Sequence, residues 1–147
     1  MTHARCRGFS LIEVTIAMGV VAISLLTLFA LIPVGLTTNQ NSISQTAATN
    51  IITTVLADMR ATPKTTATST QFAVTFGTAK TLYFDGDGVS SAAPTANSRY
   101  RMSITFPPGA GGSKSSTFSY VQVTWPALAT PANAVGHCEM FAAFDRN

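Results

Sequence analysis

The chain has 147 residues, 46% of them hydrophobic and 10% charged, with a formal net charge of +3. That length suits one domain and not two, and the apolar residues are gathered at one end instead of being spread evenly. The bases of the middle of the chain, Lys64, Lys80, Arg99, Arg101 and Lys114, form no run dense enough to track a phosphate backbone, so nucleic acid is not an expected partner.

The first eight residues form a basic leader with Arg5 and Arg7 and no acid. The next stretch, 9–36, contains a single charge, Glu13. From Val14 to Leu36 about 23 uncharged residues, at roughly 1.5 Å rise each, can cross a hydrocarbon core near 30 Å thick. The two arginines place the N-terminus on the cytoplasmic side and the remainder outside, in a single pass. A cleavable secretory signal has its parts in another order, with a small-residue cut after a shorter apolar core. An ordinary signal anchor fits the length and the charges but leaves Glu13 unexplained.

A carboxylate inside an apolar helix costs about 2.5–3.5 kcal/mol on insertion scales, which marks Glu13 as functional unless it reaches the surface. A cut between Gly8 and Phe9 would create a positive α-amino group four residues away, on the same helical face. That amine can pair with Glu13 or with the Glu13 of a neighbouring chain. The leader also carries Cys6, so removing it leaves Cys138 as the one thiol and excludes an intramolecular disulfide. Cys6 precedes the apolar run, which is the wrong place for lipoprotein acylation.

The segment Gly-Phe-Ser-Leu-Ile-Glu-Val, Gly8 to Val14, resembles the cleavage signal of type IV prepilins and type II secretion pseudopilins. The resemblance implies a structural subunit of the bacterial inner membrane, cleaved after Gly8 by a prepilin peptidase and N-methylated at Phe9, with Glu13 aligning subunits during assembly. It further implies other pilin or pseudopilin subunits, an assembly platform and an ATPase as partners, and a final place in a pilus or pseudopilus.

Beyond Leu36 the sequence turns polar, yet Ile43, Ala47, Ile51, Val55 and Met59 recur every four residues, with Ala48, Ile52 and Leu56 beside them. One helix is expected from about Ser10 to about Arg60, its part 37–62 an amphipathic continuation that Pro63 ends. A break at 37–41, among the weak helix formers Thr37, Thr38 and Asn39, is the alternative. Pro33 and Gly35 imply a kink, by loss of a backbone hydrogen bond and by backbone freedom. Filaments of the resembled family often have a helix locally melted near a proline, so a plain kink and a melted segment both stand.

Residues 63–147 read as a small antiparallel head domain, with strands expected at 72–76, 81–84, 99–106, 117–125 and 137–144. In the third, Tyr100, Met102, Ile104 and Phe106 should face the core and Arg99, Arg101, Ser103 and Thr105 water. Loops at 85–97, 107–116 and 126–134 hold the Gly, Pro and Ser that strands exclude. The fold class is thus α+β, a long N-terminal helix on a small antiparallel sheet, similar to the lollipop architecture of pilins. Within that family, Ala47 to Arg60 most resembles minor subunits of the type V pilin or type I pseudopilin kind.

Asp85-Gly86-Asp87-Gly88 is read first as a strand-turning hairpin loop. Asp85 and Asp87 as oxygen ligands for Ca²⁺ are the lesser alternative, since the third acid and the distal Glu of an EF-hand loop are missing. His137, Cys138 and Glu139 alternate on a strand, so His137 and Glu139 share one side and Cys138 the other, which suits neither a Cys–His pair nor a closed zinc site. With no Gly-x-Ser-x-Gly elbow and a single histidine after processing, neither an enzyme nor a cofactor is expected. Trp125, before Pro126, and the aromatics Phe118, Tyr120, Phe141 and Phe144 are assigned to the head core, a solvent-exposed patch being the reading that would make them a binding face. The rival to a filament subunit is a single-pass anchored binding domain outside the cytoplasm.

Overall fold

The computed structural model describes residues 8–107 and 117–145. Arg5, Cys6 and Arg7 of the leader, Lys114, and all of the expected 107–116 loop but Pro107 lie outside the described residues. The elements are one helix, α1 (Leu11–Ala61), and five strands, β1 (Lys80–Phe84), β2 (Ser90–Ser91), β3 (Tyr100–Thr105), β4 (Thr117–Trp125) and β5 (Gly136–Phe144). A one-turn 3₁₀ helix, Pro131–Asn133, interrupts the connection before β5. By their contacts the residues divide into two compact units, Met1–Gln40 and Asn41–Asn147.

The helix opens where the Ser10 carbonyl accepts the first turn's N–H groups, from Glu13 at 3.0 Å and Val14 at 3.2 Å. Helical structure runs uninterrupted across Pro33, Gly35 and residues 37–41, so the alternative of a break there is not realised. Hydroxyl groups in the apolar half find partners within the helix: Thr15 donates to Ile12 O, Ser24 to Val20 O and Thr27 to Ser24 O, each at 2.8 Å. Satisfied in this way, they can enter a lipid phase without orphaned donors. After Pro33, whose nitrogen carries no hydrogen, Thr37 Oγ1 reaches Pro33 O at 3.1 Å and Val34 O at 3.0 Å. The helix ends as Thr62 donates from its backbone to Met59 O (3.4 Å) and from its hydroxyl to Asp58 O (2.8 Å), with Pro63 next.

Within Asn41–Asn147 one stripe of α1, Ala48, Ile51, Ile52, Val55, Leu56 and Met59, is buried. It joins Leu82 and Phe84 of β1, Tyr100, Met102 and Ile104 of β3, Val121 and Val123 of β4, and Ala142 and Phe144 of β5 in one core. Each Val, Leu, Ile, Phe or Met among them contributes about 1.5–3 kcal/mol on leaving water. The four-residue recurrence foresaw this stripe except at its start, because Ile43 is 59% exposed, a full turn before the first buried position.

The sheet is antiparallel throughout, in the order β2-β1-β3-β4-β5. On β3, Tyr100, Met102 and Ile104 are buried while Arg101, Ser103 and Thr105 face the other side, the alternation the sequence predicts. Three expectations for the head are corrected. The segment 72–76 is no strand, although Phe72, Val74 and Phe76 are buried. Its main chain is committed elsewhere: the Asp58 carboxylate accepts the N–H of Gln71 (3.1 Å) and Phe72 (3.0 Å). Lys80 Nζ donates to Phe72 O (2.8 Å) and Ala73 O (2.5 Å), and Ala73 adopts a left-handed φ of 49°, leaving one isolated bridge between Thr68 and Thr75. Second, the expected loop 85–97 contains β2, paired by Ser90 with Phe84 and Ser91 with Tyr83. Third, of the aromatics assigned to the core, Phe144 is buried but Phe118 and Phe141 are exposed and Tyr120 is half-buried, because their strand positions alternate onto the face turned from the core.

Candidate functional site

Two places carry the residues singled out by sequence, and they lie in different units. The first is the start of α1. Phe9 is 84% exposed, Glu13 stands in the first helical turn with its side chain exposed, and a Cβ added at Gly8 would meet nothing within 4 Å. Among the described residues, no neighbouring atom therefore requires glycine at position 8. Glu13 is well placed electrostatically, since the first turn of a helix favours negative charge. Ser10 and Glu13 also have the Ser-x-x-Glu spacing of a capping box. Along one helical face Phe9, Glu13, Ala17, Val21 and Leu25 line a shallow open groove with Val14, Met18 and Ala22. Every described side chain from Leu11 to Gln40 is exposed. By length and composition α1 is the one helix among the described residues able to cross a membrane.

The second place is the head. Asp85 closes the β1–β2 loop: its Oδ1 accepts the N–H of Asp87 (2.9 Å) and Val89 (2.8 Å), and its own N–H donates to Val89 O at 3.2 Å. Gly88 supplies a φ of +84°, which side-chain-bearing residues rarely adopt. The loop borders a cleft of about 340 Å³ with Asn50, Thr54, Gln71, Phe84 and Tyr100. Among the described residues no three His, Cys, Asp or Glu side chains gather as a metal site would need.

On β5 the side chains alternate as the sequence implies. His137 and Glu139 are exposed on one face, while Cys138 is half-buried on the other, its Sγ 3.8 Å from Thr49 Oγ1. Tyr120 donates to Glu139 across the strand pair, and this hydrogen bond to a carboxylate raises the tyrosine pKa above its ordinary 10.0. The same ring leans on Phe141 with centroids 4.9 Å apart. Trp125 is packed against the core, edge-on to Tyr100, and lies over Gly136, where an added Cβ would come within 2.3 Å of its ring. The sequence did not reveal the outward Phe118–Tyr120–Phe141 face, since alternation cannot tell which side of a strand is covered.

No curated protein and no solved structure matches this chain. A protein-family comparison does find a match, and it falls on the start of the chain: residues 3–29 carry the prokaryotic N-terminal methylation motif, which is typical of type IV pilins and pseudopilins.

Proposed function

We propose that this protein is a minor pilin or pseudopilin, a structural subunit that prepilin peptidase cuts between Gly8 and Phe9 and N-methylates at Phe9. Before assembly it sits in the inner membrane with its leader in the cytoplasm and its head outside. It then enters a type IV pilus or a type II secretion pseudopilus through packing of residues 9–36, drawn by an assembly platform and ATPase. The observation that carries this reading is the match over residues 3–29 on a helix whose apolar side chains are all exposed from Leu11 to Leu36. In lipid such a surface gains little from burial alone, so close packing and specific polar contacts must drive association. Glu13 supplies the polar contact, toward the amine the cut creates. Pro33 and Gly35 supply local compliance to the helix.

The role is structural and not catalytic. A second reading, a single-pass anchored binding domain, draws on the exposed Phe118 and Phe141. Mass spectrometry of the mature chain separates the two. N-methyl-Phe9 at the new terminus is expected for the filament subunit, and an intact Met1 terminus in cells that possess the peptidase would exclude it.

A further inference from the structure

The two edges of the sheet are unlike. One is β2, two residues long and paired only with Tyr83 and Phe84, and very short edge strands are a common protection against unwanted pairing. The other is β5, nine residues paired one for one with β4 from Gly136 to Phe144. It contains no proline, no lysine and no bulge, and its one charged side chain is Glu139. In an antiparallel ladder alternate main-chain groups face the neighbour, so about half of those of β5 point outward. Among the described residues no other main chain pairs with them.

Beside the exposed His137 and Glu139, this edge also carries apolar side chains. Phe141 is 78% and Phe118 57% exposed, and Tyr120 is held between the Phe141 ring and the Glu139 carboxylate. Glu139 is exposed and, among the described residues, no base pairs with it. A row of unpaired N–H and C=O groups at about 3.3 Å per residue is matched by another extended chain. A lipid surface or a packed helix would cover the same groups without bonding them, at a cost for each.

We propose that β5 is a docking edge for an extended strand of a neighbouring subunit in the assembled filament. The incoming segment joins the sheet as a sixth strand, with an apolar side chain opposite Phe141 and a base opposite Glu139. The proposal rests on the filament reading above. Main-chain pairing provides the affinity, and the Phe141 and Glu139 positions set the register.

Hydrogen exchange of the full processed chain tests this, measured in detergent and again in isolated filaments. The outward amides of β5 should slow at least tenfold on assembly, while those of β2 and the 85–89 loop should not. Phe141→Lys should abolish that protection and reduce incorporation, Phe141→Leu should retain both, and neither should lower the thermal midpoint of the head, since Phe141 is exposed. Equal exchange of the β5 amides in both states, or normal incorporation of Phe141→Lys, overturns the proposal. So does concentration-dependent protection already present in detergent, which would make the occupant a second copy outside the filament. If Phe9 is methylated and residues 9–36 are protected but β5 is not, the edge proposal alone fails. If Phe9 is unmethylated and no filament forms, the functional reading fails with it.

Discussion

Between Leu11 and Gln40 α1 exposes every side chain, whereas between Asn41 and Ala61 the same helix buries one stripe of six residues. Both halves satisfy their backbone in the same way, yet they present different surfaces. From Val14 to Leu36 the first carries no charge, and none of its side chains is buried among the described residues, so its surface suits lipid or neighbouring helices. The second is amphipathic and is held by the head. Substitutions in the first half should therefore change processing and assembly, and those in the second should change folding.

The largest expected effect is at Gly8. Since an added Cβ meets nothing within 4 Å, Gly8→Leu should leave insertion and the head fold unchanged. Cleavage should fall by more than tenfold, and uncut protein should accumulate in membrane fractions on immunoblots. Normal cutting would remove Gly8 from the recognised signal. Next comes Glu13→Val. Loss of a charge from an apolar segment favours insertion by up to about 2.5–3.5 kcal/mol, so membrane yield should hold or rise while filament incorporation drops. Incorporation at the wild-type level would end the alignment role and leave Glu13 only its place in the helix's first turn.

The matching change in the other half is Leu56→Ala. Leu56 is 2% exposed in the head core, and truncation of such a leucine costs about 2–5 kcal/mol, enough to lower the thermal midpoint of the head clearly. Val21→Ala, in the exposed half, should leave that midpoint unmoved. If the two substitutions had equal effects on head stability, the division of the helix would be wrong.

The same division governed what could be read from the sequence. The helix across residues 11–36 was legible because its composition is apolar on every side. The amphipathic half was legible from its four-residue recurrence, and β3, β4 and β5 from alternation, with β4 matching its expected span 117–125. Residues 72–76 failed because Phe72, Val74 and Phe76 alternate as a strand would while Asp58, thirteen and fourteen residues earlier, takes the main-chain donors of Gln71 and Phe72. Such a long-range capture leaves no local trace. The outward aromatics failed for the related reason that a two-residue period fixes which side chains share a face, not which face is covered. Of the candidate sites, the methylation motif at residues 3–29 was legible from the spacing of Gly8, Phe9 and Glu13, whereas the position of β5 at the sheet's edge depends on strand order, which no residue pattern displays.

That capture by Asp58 supplies a smaller test. Burial pushes the Asp58 pKa up, but hydrogen bonds from Ser69, Phe72, Gln71 and Thr70 outweigh it and leave the value below the ordinary 3.8. A carboxylate with a lowered folded pKa stabilises the native state above pH 3.8, and that contribution is lost as pH falls through the lower folded value. Asp58→Asn should destabilise the head by about 1–2 kcal/mol at pH 7, with a difference from wild type that shrinks toward pH 2. A difference independent of pH would mean that packing, not the charge, holds the 69–74 segment.

The smallest effects are expected at the β1–β2 loop, where turn and calcium readings diverge. Because Asp85 Oδ1 already accepts two backbone N–H groups, Asp85→Ala should cost about 1 kcal/mol with or without Ca²⁺. Asp87, on the exposed side of the loop, should tolerate Asn within about 0.5 kcal/mol. Calorimetric titration with Ca²⁺ should then give no heat and no rise in midpoint. A rise abolished by both Asp85→Ala and Asp87→Asn would instead establish a metal-stabilised loop, since a turn held only by Asp85 gives Asp87 no part in stability.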